Sequence, residues 1–273
     1  MVSPMRFAKM LFLPLILLIS LSITGCTLST DEKPPTLVPR ATPLPPPTLG
    51  YATLDSSQFS SQVVVSTATP SFEIELYTLM NQVEADRLIV HVDTLQNFGT
   101  RHVNSSYTML DHGIGAAYTY ILGQFQSIQQ RSSGRLVVTS QDFSLNWGGI
   151  RSTPKNIIAI LNGTEPGAGV IVVGAHYDSR IGNLENGTGY APGANDNGSG
   201  ISALIEIARI MSESEHRHRA TVVFVAYSAE EEGRLGSIAF VQDYVQALNI
   251  PVIAALNLDI IGSSTNTDGS IND

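Results

Sequence analysis

The 273-residue chain has a single cysteine, Cys26, and a single tryptophan, and only 14% of its residues are charged. One cysteine cannot close an internal disulfide, and no thiolate cluster exists for an iron–sulfur or Cys-type zinc site. Basic residues are also scarce, 15 against 24 acidic, which gives a formal net charge of -9 and a pI of about 5.1. A phosphate-binding surface needs an excess of Lys and Arg, so no nucleic-acid partner is expected. Proline is sparse wherever the sequence is periodic: eight of the fourteen lie between residues 27 and 70. That stretch, "TLSTDEKPPTLVPRATPLPPPTLG" followed by a Ser/Thr/Gln-rich run, predicts an extended tether without a packed core. Outside the first 26 residues there is no hydrophobic run long enough to span a bilayer.

Those first 26 residues carry Arg6 and Lys9 ahead of an apolar stretch that ends in small residues, the pattern of a secretory signal. The segment "ITGC" resembles the lipobox of bacterial lipoproteins, in which the cysteine is lipidated. A plain signal peptide and an uncleaved anchor helix remain alternatives. Each of the three puts the remainder outside the cytoplasm, on the membrane through Cys26 or secreted. The expected organisation is a lipoprotein-type signal over 1–26, a tether over 27–70 and a catalytic domain over 71–273.

From residue 71 helical and strand patterns alternate. "FEIELYTLMNQVEADRLIVHVDTL" and "YTMLDHGIGAAYTYILGQFQSI" have helical periodicity. Strands are predicted at "RLVVTSQDF", "NIIAILNG", "GVIVVGAH", "ATVVFVAYS" and "VIAALNLD", with helices at "SGISALIEIARIMSES" and "GSIAFVQDYVQAL". Short, nearly continuous apolar strands separated by helices predict an α/β sandwich whose central strands are parallel and covered on both faces. In such sheets ligands gather at the carboxyl ends of strands. His176 and Asp178 close one predicted strand, Glu230–Glu232 a second and Asp259 a third, while Asp196 sits in the glycine-rich turn "GANDNGSG". One imidazole with several carboxylates is a donor set for zinc or a similar divalent ion, and a poorer one for calcium.

Four blocks, "GAHYDS", "PGANDNGSG", "AEEEGRLGS" and "NLDIIGS", with a weaker "NFGTRH" upstream, resemble in order those of the secreted co-catalytic zinc aminopeptidases, relatives of glutamate carboxypeptidases and glutaminyl cyclases. The resemblance implies a three-layer α/β/α sandwich with a mixed, centrally parallel sheet, and a site that holds two zinc ions in the complete domain. It makes His176 and Asp259 ligands of one zinc, Asp196 the bridging carboxylate, Glu231 a ligand of the other zinc, Asp178 the carboxylate that orients His176, and Glu230 the general base. It gives Glu232 no duty, so Glu232 is expected in solvent or paired with a neighbour such as Arg234. The implied activity is removal of amino-terminal residues from peptides; glutaminyl cyclisation and a non-catalytic tethered binding domain are the alternatives. The family's second histidine ligand lies well downstream of the aspartate matched by Asp259. Only fourteen residues follow Asp259 here, none of them histidine. The domain is therefore expected to be C-terminally incomplete, to hold one zinc firmly and to have little or no peptidase activity as it stands.

Overall fold

The computed structural model describes residues 71–263. The signal and tether expected over 1–70 lie outside the described residues. Three helices come first: α1 (Ser71–Met80), α2 (Ala85–Asn97) and α3 (Gly113–Arg131). Strand β1 (Leu136–Asp142), a small hairpin β2 (Leu145–Trp147) and β3 (Ile150–Ser152), then β4 (Lys155–Leu161) and β5 (Val170–His176) follow. Helix α4 (Gly200–Glu213), β6 (Thr221–Tyr227), α5 (Leu235–Phe240) and β7 (Val252–Asn257) complete the described chain. A wide turn, Ala194–Ser199, leads into α4, and another, Val241–Gln246, continues α5.

The five long strands form one sheet in the order β1-β4-β6-β5-β7. β5 runs parallel to both β6 and β7, whereas β4 is antiparallel to β1 and β6. Alternate side chains divide between two cores, as the strand period of two requires. Ile157, Ala159, Leu161, Val222, Phe224 and Ala226 face the larger core together with Leu95, Phe125, Ile201 and Leu204 from α2, α3 and α4. Ile158, Val172, Val223 and Val225 face the other side and pack on Phe240 at the end of α5. Burial on both faces explains why β4, β5 and β6 read as unbroken apolar runs. The expected mixed sheet between helical layers is thus present. No described helix is long and apolar enough to cross a membrane.

Two helical expectations need correction. The stretch 72–95 is not one helix, because the chain leaves α1 at Asn81 and re-enters at α2 after an extended Glu84. Contacts from α4 stabilise the break: Arg209 donates to the Gln82 carbonyl, and the Glu84 amide donates to Glu206 Oε1 at 3.4 Å. Tertiary hydrogen bonds here outweigh local periodicity. Helix α3 likewise starts only at Gly113, because the preceding residues fold back on it. A Cβ on Gly115 would collide with the Tyr107 carbonyl. The β2–β3 hairpin was absent from the expectations, although Gly148 and Gly149, with φ of 57° and 78°, form a turn that a Gly-Gly pair suits.

Glu206 is 2% exposed and receives two bonds from Arg209, at 2.8 and 2.6 Å. Burial works against its ionisation, but Arg209 prevails and holds the carboxyl below its ordinary value. Its contribution to stability is therefore complete above the ordinary carboxylate pKa and disappears as pH falls through the depressed folded value. Glu206→Gln is expected to cost about 2 kcal/mol at pH 7. Urea unfolding of variant and wild type should show that gap closing towards pH 3.

Candidate metal centre

The carboxyl ends of β6, β5 and β7 lie side by side, so the segments leaving them share one rim. His176 is the last residue of β5, Asp259 lies just past β7, and the turn carrying Glu230 and Glu231 follows β6. Asp196 reaches the same place from the turn ahead of α4. That turn is fastened to the β7 exit by Asn197, which donates to the Leu258 carbonyl, and by Asn195, which accepts from the Gly262 amide. The asparagines on either side of Asp196 thus hold it opposite Asp259.

His176 Nε2 is 3.2 Å from Asp196 Oδ1 and 3.5 Å from Asp259 Oδ1. Donors about 2.0–2.1 Å from a tetrahedral zinc stand about 3.3–3.4 Å apart, so these separations fit such an ion. The imidazole is 3% exposed, while Asp196 and Asp259 are open to solvent at 49% and 37%, leaving one side of the triangle accessible. Burial alone would lower the His176 pKa, yet Asp178, Asp196 and Asp259 outweigh it and push it up to about 11. In electrostatic terms the site calls for a cation, and the imidazolium answers that call when nothing else does.

Asp178 lies beneath His176 and is fully buried, its Oδ1 3.6 Å from His176 Nδ1. Its two oxygens accept the backbone amides of Glu230 and Glu231 at 3.1 and 3.0 Å. Burial opposes its charge, but His176 and those amides keep the carboxyl below the ordinary Asp value. One carboxylate therefore couples the end of β5 to the turn after β6. The turn is closed by Arg234 and Gly233 amides on the Glu230 carbonyl and by Leu235 on the Ala229 carbonyl. Asn156 of β4 anchors it from below, accepting the Ser228 amide and donating to the Gly236 carbonyl.

The three consecutive glutamates separate. Burial raises the Glu230 pKa, and Asp178, Asp259 and Asp196 add to that rise against the opposing His176. Glu231 is raised by burial too, while its Oε2 accepts from Arg180 Nε at 2.6 Å. Glu232 corrects the expectation of a solvated side chain: it is 5% exposed and its Oε1 lies 3.4 Å from His102 Nε2. His102 Nδ1 accepts the Asn104 amide, so Nε2 carries the proton directed at Leu184 O and Glu232. Burial, then Asp178 and Glu231, push Glu232 up to about 8, which makes it neutral at pH 7. Its partner is 130 positions away in sequence, and nothing adjacent to Glu232 points to it.

Arg101, in the weak "NFGTRH" block, had no assigned role. It is completely buried and donates to the carbonyls of Tyr177, Leu95, Pro192 and Gly193. Burial lowers its pKa to about 10, so it remains a cation at neutral pH beneath Asp178 and Asp196. It pins the segment ahead of Asp196 to the segment after His176. Two other histidines pair away from the rim: His91 bonds the Tyr120 hydroxyl at 2.6 Å and His216 pairs with Glu75.

A mixed sheet with carboxylates and one imidazole at the ends of its parallel strands defines an α/β domain of the zinc exopeptidase type. Residues 156–270 match the model of peptidase family M28. A probable zinc metalloprotease of Pyrenophora teres f. teres is 36% identical over 202 residues, covering 72% of this chain and 43% of that relative. The chain spans less than half the length of the curated relatives it matches. Among solved structures, the LapA aminopeptidase of Legionella pneumophila is similar with a TM-score of 0.54 at 25% identity, over 68% of this chain and 45% of that one. A glutaminyl cyclase of Porphyromonas gingivalis shares the fold, with a TM-score of 0.54 at 22% identity over 68% and 63% of the two chains.

Replacing Asp178 by Asn sets an amide group against two backbone donors and removes the charge behind His176. Zinc affinity is expected to fall about 10- to 100-fold, the usual effect of losing such a partner. Competition with a chromophoric chelator measures it.

Proposed function

We propose that this domain is a zinc-dependent exopeptidase that removes residues from the amino terminus of peptides. The observation that carries the reading is the His176, Asp196 and Asp259 triangle, with Glu230 in the turn beside it. His176, Asp196 and Asp259 would hold a zinc ion, and Glu231 would be available to a second. Zinc supplies Lewis acidity for the scissile carbonyl and lowers the pKa of water at the site. Glu230 takes the proton of the attacking water and returns it to the leaving amine. Its carboxyl is raised by burial and by neighbouring acids, which suits a group that must accept a proton and then give it up. Asp178 holds His176 in one orientation, and the exposed flank of Asp196 and Asp259 admits the peptide. The amino-terminal reading adds an extracytoplasmic location, with Cys26 lipidated or the protein secreted.

In the protein that carries this domain, Glu230→Gln should lower kcat on a chromogenic aminoacyl substrate by about 10²–10⁴-fold. Zinc content, read by elemental analysis, should stay at the wild-type level. Retained turnover would remove Glu230 as the base. Ammonia release from an amino-terminal glutaminyl peptide, without release of amino acids from other peptides, would favour the cyclase reading supported by the shared fold.

A further inference from the structure

The two halves of the rim differ in one respect that the family blocks do not encode. On the side of His176 and Asp259, the carboxylates of Asp196 and Asp259 lie 3.2 and 3.5 Å from the imidazole and are open to solvent. On the side of Glu231, a cation is already in place. Arg180, two residues beyond Asp178, directs Nε at Glu231 Oε2 from 2.6 Å, with the Arg180 side chain 38% exposed and that of Glu231 11% exposed.

We propose that Arg180 is a positioning residue that makes zinc uptake unequal. One ion enters the His176–Asp196–Asp259 triangle, and a second gains Glu231 only by displacing the Arg180 guanidinium. The inference rests on the metal reading given above. Arg180 neutralises Glu231 in the absence of a second ion and keeps its carboxylate at the rim. A zinc ion that takes Glu231 as a ligand competes with the guanidinium for that carboxylate and sets two like charges, its own and that of Arg180, as neighbours. Bonds of this type correspond to roughly 10- to 100-fold in affinity. The first ion does not disturb the pair, so its affinity should be nearly independent of Arg180.

The test is calorimetric titration of the metal-stripped protein with zinc, with stoichiometry checked by native mass spectrometry. Wild type should take up one equivalent tightly and a second at least about tenfold more weakly. In Arg180→Gln the second equivalent should tighten by about tenfold or more while the first changes little; Arg180→Lys, which keeps the charge, should resemble wild type. Arg180 lies at the surface, and thermal unfolding of both variants establishes that they fold. If Arg180→Gln leaves the second equivalent unchanged or weakens it, the inference is overturned while the triangle stands. If His176→Ala binds zinc as wild type does, or wild type binds none, the metal reading itself is overturned and the inference with it.

Discussion

The buried carboxylate of Asp178 is the contact on which the site depends. A charge in that position is costly unless several donors share it. Here the donors are the backbone amides of Glu230 and Glu231, while His176 Nδ1 lies 3.6 Å from Oδ1, beyond hydrogen-bond distance but close enough for its charge to act. Because Asp178 follows the last residue of β5 by two positions and its two oxygens hold the turn after β6, the strand end that carries His176 is tied to the glutamates. The parallel pairing of β5 with β6 and β7 brings these segments to one rim, and Asp178 turns proximity into fixed geometry. Asn195 and Asn197 do the same for the Asp196 turn and the exit of β7.

Around this joint the protein manages an excess of acid in three ways. Arg101 places a permanent positive charge underneath, held by four backbone carbonyls rather than by the acids themselves. Glu232 withdraws into the interior, where it is neutral at pH 7 and packs against His102. Arg180 compensates Glu231 at the surface. The solvent-facing pair Asp196 and Asp259, with His176 between them, is where the proposed divalent ion would enter with the least rearrangement.

Much of this was legible in sequence because local chemistry and strand endings coincide. The apolar runs of β4, β5 and β6 marked the central sheet, and the acids at their ends marked the rim. His176 and Asp259 stood out at the ends of predicted strands, where ligands collect; Asp196, in a turn, stood out by the "GANDNGSG" block, and the metal roles of all three came from the family resemblance. The features that were not legible depend on long-range contacts. The break between α1 and α2 follows from Glu206 and Arg209 on α4, more than 120 positions away. Glu232 was misplaced because its partner comes from the "NFGTRH" block. Arg180 could have been noticed as a cation directly after the H-x-D pattern in an acidic site, but only the folded geometry shows that it reaches Glu231. The delayed start of α3 was hidden because Gly113 and Gly115 interrupt neither the apolar periodicity nor its length; their role is to let residues 106–107 approach closely.

The most direct test of the central claim is anomalous diffraction at the zinc absorption edge from crystals of the protein prepared with one equivalent of zinc. The account predicts a single strong peak within about 2.0–2.2 Å of His176 Nε2 and of one oxygen each from Asp196 and Asp259, with Arg180 still on Glu231. A peak elsewhere, or one coordinated by Glu231 with Asp259 left free, would contradict it.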